Sequence, residues 1–144
     1  MANVQHNAIL NQLLIDIGRS LLQYVGQCSS WASKSDAAAA IELNKLVEVQ
    51  QEHVAELSDL LMSRRWTIDF GGFPASYTDF HFLSLRYLAK QVLINQTALL
   101  ADLDEAGHTC VDDPEAAELI GRILTSEREI RDQLKSITST SVSA

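Results

Sequence analysis

Apolar residues recur three and four positions apart along most of the chain, a spacing typical of amphipathic α-helices. The first stripe begins at Leu10 and predicts a helix over residues 4–28. The second stripe begins at Leu43 and predicts a helix that opens at Ser35 and Asp36, which favour an N-cap, and continues through Arg64. Both helices are long enough to run the length of a small bundle.

The second half of the chain carries the same spacing in two further stripes. The third helix is predicted to begin at Thr78 or Asp79 and to end near Ala106, where Gly107 suits a C-cap. The fourth helix is predicted to begin at Asp113, because the Pro-Glu pair that follows is typical of a first helical turn.

The links between these four helices differ in length. Those between helices 1 and 2 and between helices 3 and 4 are short, which favours two antiparallel hairpins. The link between helices 2 and 3, WTIDFGGFPASY (residues 66–77), is long and rich in apolar side chains. At ~3.3 Å per residue it reaches roughly 40 Å, about the length of a 25-residue helix. It can therefore cross the bundle, and a loop folded over one end is the alternative.

These patterns predict an all-α fold, a four-helix bundle of two antiparallel hairpins joined by a long crossover. One domain is expected over residues 1–137, followed by a flexible tail over residues 138–144, which are small and polar.

Composition narrows the classes of function. The chain of 144 residues has a formal net charge of −8 and no basic stripe, which argues against a nucleic-acid partner and against an anionic membrane. No apolar run approaches the ~18 residues that span a bilayer, and the first residues do not resemble a secretory signal. Two cysteines are too few for a disulfide framework. A cytoplasmic protein is expected.

Several polar residues fall on the inner faces of the helices at mid-height, where apolar residues are the rule. At ~100° per residue, Gln50 and His53 lie on the inner face of helix 2, and Gln96 lies on that of helix 3. Glu127 and Arg131 lie four apart on helix 4 and can pair along it. On helix 1 the nearest inward-leaning polar residues are Ser20 and Tyr24.

This arrangement resembles the ferritin-like superfamily of ferritins, bacterioferritins and rubrerythrins. The resemblance covers about residues 4–136, and the segment FGGFPASYTDF is also similar to one in small bacterial proteins of this type. In that family helices 1 and 3 each supply a Glu, and helices 2 and 4 each supply Glu-x-x-His. Together these residues hold two iron or manganese ions.

Matched to that motif, this chain lacks most of the ligands. Helix 2 reads Gln50-x-x-His53, helix 3 offers Gln96 or Asn95, helix 4 reads Glu127-x-x-Ile130, and helix 1 has no matching Glu. Two divalent ions need several carboxylates, and amides replace them poorly. Arg131 would be repelled by a metal and can supply positive charge beside Glu127 instead. The prediction is a metal-free polar layer without a cofactor.

Three functions are compatible with these sequence patterns. The favoured one is a non-catalytic, structural or interaction protein with the polar layer of Gln50, His53, Gln96, Glu127 and Arg131. The second is a mononuclear iron, manganese or zinc protein, with the ligands His53, Glu127 and one of Asp16 or Glu56. The third is a carrier of a small apolar ligand, held in a cavity under the aromatic link.

A second apolar stripe on helix 1 suggests a partner. Ile15 and Leu22 lie seven apart on the face away from the main stripe. Exposed apolar residues at helical spacing mark interfaces, so a homodimer through helix 1 is predicted. The alternative is that these are two scattered surface residues.

Overall fold

The computed structural model describes residues 4–28, 37–80 and 85–142, and these residues form an all-α bundle. The α-helices are α1 (Val4–Gly18), α2 (Leu21–Cys28), α3 (Ala37–Ser63), α4 (Leu85–Thr109) and α5 (Pro114–Val142). A 3₁₀ helix spans Ala75–Phe80, and no strand occurs in the described part of the chain. α1 packs against α3, and α4 packs against α5.

The predicted first helix is broken into α1 and α2, so its prediction as one continuous helix is wrong. The break falls at Ser20, two residues after Gly18, and both residue types weaken a helix interior. The Oγ of Ser20 accepts a hydrogen bond from the backbone N–H of Gln23 at 3.3 Å, which is an N-cap for α2. Asn95 of α4 accepts a second bond from the N–H of Leu21 at 3.2 Å. The break is therefore stabilised by a hydrogen bond within the start of α2 and by a second one from α4.

Two further boundaries differ from the sequence prediction. Thr78 and Asp79 lie in the 3₁₀ helix, and the described part of α4 begins at Leu85. α4 continues through Gly107 to Thr109, because the N–H of Cys110 still bonds to the C=O of Ala106 at 2.9 Å. The predicted C-cap at Gly107 is therefore wrong.

The remaining boundaries agree better with the pattern. The predicted N-cap at Ser35 and Asp36 lies outside the described residues, and α3 ends one residue before the predicted Arg64. The start at Asp113 is confirmed, because its Oδ1 accepts a bond from the N–H of Ala116 at 3.3 Å. α5 continues to Val142, into the segment predicted as a flexible tail.

The core consists of two apolar clusters separated along the bundle. The first cluster includes Leu10, Leu14, Ile17, Leu57, Leu61, Leu103, Ile120 and Ile123. The second cluster includes Leu21, Leu22, Leu43, Leu46, Val92, Ile130 and Leu134. The chain passes from the first cluster to the second along α1–α2 and along α5. It passes from the second cluster to the first along α3 and along α4.

The link between α3 and α4 lies along the first two helices. We call residues 66–77 the strap. Near its start, the side-chain amide of Asn11 in α1 makes two hydrogen bonds to the backbone of Asp69. Its nitrogen donates to the C=O of Asp69 at 2.8 Å, and its oxygen accepts from the N–H of Asp69 at 3.0 Å. The Asn11 carbonyl also accepts from the indole N–H of Trp66 at 3.1 Å. Further along the strap, Arg19 Nε donates to the C=O of Phe70 at 3.2 Å.

The end of the strap packs on α2. The ring of Tyr24 lies 5.3 Å from that of Phe73 and 5.5 Å from that of Tyr77, centre to centre. Successive parts of the strap thus contact Asn11, Arg19 and Tyr24 in chain order, from the first core cluster towards the second.

The apolar pair predicted to carry a homodimer is covered within the chain. Leu22 is only 1% exposed and belongs to the second core cluster. Ile15 is half-buried beneath Gly71 of the strap, where a Cβ on the glycine would lie 2.7 Å from Ile15 Cγ2. These two side chains are therefore not an exposed interface. Among the described helices, none is long and apolar enough to cross a membrane.

Candidate functional site

Glu127 is the centre of a polar layer between the two apolar clusters. Its side chain is 0% exposed, yet both carboxylate oxygens are satisfied. Oε1 accepts hydrogen bonds from the amide nitrogens of Gln50 at 2.7 Å and Gln96 at 3.1 Å. Oε2 lies 2.8 Å from Nδ1 of His53. Three side chains from α3 and α4 therefore enclose one carboxylate from α5.

Gln50 connects this carboxylate to the start of α2. Its carbonyl Oε1 accepts from the hydroxyl of Ser20 and from the amide of Gln23, both at 3.1 Å. These contacts fix the orientation of the Gln50 amide, because a flipped amide would turn its carbonyl oxygen towards Glu127. The layer thus joins residues from α3, α4 and α5 to the break between α1 and α2.

The remaining bonds complete the layer. The Gln96 amide also donates to the backbone C=O of Glu127 at 3.0 Å, and its Oε1 accepts from Gln50 at 3.3 Å. The Gln23 amide also donates to the C=O of Val47 at 2.9 Å. Within the described residues, no buried side-chain nitrogen or oxygen lacks a hydrogen-bond partner. A satisfied layer of this kind is tolerated in a core, whereas a partly satisfied one is costly.

Arg131 is not part of the layer, and its predicted pairing with Glu127 is wrong. The Nη2 of Arg131 lies 3.2 Å from Oδ1 of Asp132, and its side chain is 31% exposed. A long arginine side chain can keep its stem on the bundle while its guanidinium leans into solvent. His53 is the group that faces Glu127 in its place.

The residues considered for a mononuclear metal site do not meet. Glu56 pairs with Arg122 at 2.7 Å, and Asp16 accepts from Gln12 at 2.9 Å beside the strap. Only His53 and Glu127 are neighbours. In the described ranges, no three His, Cys, Asp or Glu side chains converge in a way that could hold a metal ion.

The chemistry of the layer also does not fit a cation. The two amides turn N–H groups towards the Glu127 carboxylate, and a metal bound there would face those hydrogens instead of lone pairs. Amide carbonyls could serve as ligands only after both amides rotate. Rotation of Gln50 would break its bonds to Ser20 and Gln23.

The helical pattern predicts Ser20 and Tyr24, but not Gln23, as the inward-leaning polar residues of the first helix. On one continuous helix, Gln23 would point away from the inner face. The break at Ser20 changes the register of α2, so Gln23 turns inward and Tyr24 turns towards the strap. The available signal was Gly18 followed by Ser20, which could have placed a helix break and a new N-cap there.

A second polar cluster closes one end of the bundle. The guanidinium of Arg64 donates two parallel hydrogen bonds to Asp113, at 2.7 and 2.8 Å, and His6 Nδ1 lies 3.2 Å from the same carboxylate. The bond from Arg64 is the main reason that the pKa of Asp113 falls to about 2. Nearby, burial raises the pKa of the Cys110 thiol, which makes it a poor nucleophile. The cluster joins the start of α1, the end of α3 and the start of α5.

No protein-family model matches the sequence, and neither a curated protein nor a solved structure is significantly similar to it. The fold and the polar layer therefore carry the functional argument by themselves.

Proposed function

We propose that the chain is a ferritin-like bundle in which a hydrogen-bonded polar layer replaces the two-metal site. Two features of the fold support this architecture. α1–α2 and α5 run in one direction between the core clusters, and α3 and α4 run in the other. Two consecutive helices with the same direction need a connection as long as the bundle, and the strap contacts α1 and α2 in that order.

The observation that carries the proposal is the set of donors around Glu127. In a ferritin-like metal site, positive charge would lie where the amides of Gln50 and Gln96 donate their N–H groups in this chain. Those donors and the His53 ring satisfy the carboxylate from within the protein. The layer stabilises one register of the helices, because any shift leaves a buried charge without partners.

The role that follows is structural, or that of an interaction protein, without catalysis at the layer. Glu127 is enclosed on all sides, so it cannot meet a substrate unless the bundle opens. A homodimer remains part of the proposal, although Ile15 and Leu22 do not carry it. Light scattering on the purified chain measures whether it is present.

Unfolding with and without metal tests this function. A metal ion that binds only the folded state stabilises it by about 2.7 kcal/mol at 100 times its dissociation constant. We expect the free energy of unfolding to be the same in a chelator and in millimolar Mn²⁺, Fe²⁺ or Zn²⁺. We also expect His53→Ala to lower it by about 2–4 kcal/mol equally in all of them, because Glu127 loses a partner in each.

Two results would overturn the proposal. One is a parent protein that is stabilised by metal and loses this gain on His53→Ala. The other is a His53→Ala variant as stable as the parent in the chelator, since the histidine would then have no structural role.

A further inference from the structure

A cavity lies beneath the strap, on the side of α1 that faces α4. Its volume is about 170 Å³, the space of roughly five or six water molecules at ~30 Å³ each. Ile15 and Leu99 form apolar walls from the two helices, and Pro74 and Gly72 of the strap cover it. It therefore suits a molecule of a few non-hydrogen atoms.

Two carboxylates and one guanidinium line this cavity, so the formal charge of its lining is negative on balance. Asp16 comes from α1 and Asp102 from α4, and neither takes part in an ion pair within the described residues. Burial is the main reason that the pKa of Asp16 is raised, and the charge of Asp102 raises it further. The hydrogen bond from Gln12 lowers this pKa in part, and no cation offsets the two raising effects.

Among the described residues of the lining, Arg19 is the one basic residue, and it does not supply a compensating charge to the carboxylates. Arg19 donates through Nε to the carbonyls of Phe70 and Gly71, at 3.2 and 3.3 Å. Its guanidinium carbon also lies 5.1 Å from the centre of the Phe73 ring. Arg19 thus fastens the strap, and its cation is directed to the strap instead of the carboxylates.

We propose that this cavity binds a small organic cation, whose protonated amine faces Asp16 and Asp102 and whose apolar body lies against Ile15, Leu99 and Pro74. The apolar walls favour an organic cation over a metal ion, and the described residues bring no third His, Cys, Asp or Glu side chain to this place. The site is separate from the Glu127 layer. The outcome of its test is therefore independent of the metal measurements proposed for the Glu127 layer.

Binding is tested with three probes of similar length and different charge: n-butylamine, n-butanol and butyrate. Each is titrated into the full ¹⁵N-labelled chain at pH 7.5 and 150 mM NaCl, which screens long-range attraction to the negative protein. We expect saturable shifts of the amide resonances around Asp16 and Ala98 with butylamine at low millimolar concentration. We expect at least tenfold weaker binding of butanol and butyrate.

Matched variants distinguish binding at this cavity from a general attraction of the amine to the negatively charged protein. Asp102 and Asp104 are both exposed on α4, but only Asp102 lines the cavity, so Asp102→Asn and Asp104→Asn remove the same charge inside and outside the site. We expect the first to weaken butylamine binding at least fivefold and the second to leave it within twofold. Ala98→Leu, which reduces the cavity without changing charge, should also weaken it at least fivefold.

The proposal is overturned by any of three outcomes. Butylamine could bind no tighter than butanol, it could fail to saturate, or Asp104→Asn could weaken it as much as Asp102→Asn does. Each variant is first compared with the parent by its amide spectrum. If one of them is unfolded, the remaining cavity variant and the three parent titrations decide the question.

Discussion

Glu127 is a buried carboxylate with hydrogen-bond partners from two other helices of the bundle. Removing an ionised carboxylate from water costs several kcal/mol, and hydrogen bonds to the charged group return about 1.5–3 kcal/mol each. Glu127 receives such bonds from Gln50 and Gln96 and faces the ring of His53. Its burial therefore depends on all of these partners being present together.

Removal of the central amide should be costly. Gln50→Leu keeps a similar volume, but it takes one donor from Glu127 and the shared acceptor from Ser20 and Gln23. We expect it to lower the free energy of unfolding in urea by about 2–4 kcal/mol. The control is Gln133→Leu, the same change at an exposed position of α5, with an expected effect within about 0.5 kcal/mol. Equal effects would mean that the layer contributes nothing.

The carboxylate of Asp113 makes stability depend on acid pH. Its pKa is about 2 in the folded chain and an ordinary ~3.9 when unfolded, so the folded state binds fewer protons between these values. The stabilisation is therefore complete above about pH 5 and is lost as the pH falls from there towards 2, in total about 1–2 kcal/mol.

Urea unfolding from pH 6 to pH 2 measures this contribution. Asp113→Asn should remove that part of the pH dependence, whereas Asp112→Asn, at an exposed neighbour, should keep it. The account of this ion pair fails if the Asp113 variant loses stability with acid as steeply as the parent.

The strap is the element that distinguishes this bundle from a simple row of antiparallel helices. Its turn at Gly71 has φ +67°, which L-residues adopt at a cost, and a Cβ at this position would lie 2.7 Å from Ile15 Cγ2 of α1. The neighbouring Gly72 has open space around the position of a Cβ. A side chain is therefore disfavoured at Gly71 and has room at Gly72.

Alanine substitutions at these two glycines should therefore have different effects on stability. Gly71→Ala adds a strained φ and a methyl group 2.7 Å from Ile15, and we expect a loss of about 1–3 kcal/mol with a lower thermal midpoint. Gly72→Ala should stay within about 0.5 kcal/mol of the parent, because nothing lies near the added atom. If both variants unfold at the temperature of the parent, the strap is not held against α1 as described.

The helices and their inner faces could be predicted because helical periodicity is a local property. The 100° rule placed Gln50, His53, Gln96 and Glu127 on inner faces, and all four lie in the layer. It failed for Arg131, because the direction of a long side chain depends on what surrounds it.

The break between α1 and α2 could not be predicted by the same rule. The break is stabilised by Asn95, far away in the chain, which accepts a hydrogen bond from the N–H of Leu21. It is also stabilised by the N-cap at Ser20. Tertiary contacts of this kind override the propensity of a continuous apolar stripe. The misplaced inner face of α2, and the omission of Gln23, follow from that one missed break.

The whole molecule is defined by the directions of its helices. Arg64, at the end of α3, bonds to Asp113 at the start of α5. In a bundle with a strict up-down order, the end of α3 and the turn between α4 and α5 would lie at opposite ends. The ion pair and the strap thus support one topology over the other.

Distances between spin labels test this topology. Met62, Ile41 and Val111 are exposed, and labels are attached to cysteines at these positions in a Cys28→Ser background, where Cys110 is buried. At 1.5 Å per residue along α3, we expect Met62–Val111 below roughly 25 Å and Ile41–Val111 above roughly 30 Å. The reverse order of the two distances would contradict the proposed topology.

The central claim is that protein groups satisfy Glu127 without a metal ion, and metal content tests it most directly. The chain is expressed with added iron, manganese and zinc, freed of any affinity tag, and analysed by mass spectrometry beside a His53→Ala, Glu127→Gln variant. We predict far less than one metal ion per chain in both proteins. One metal ion per chain in the parent and none in the variant would contradict the account.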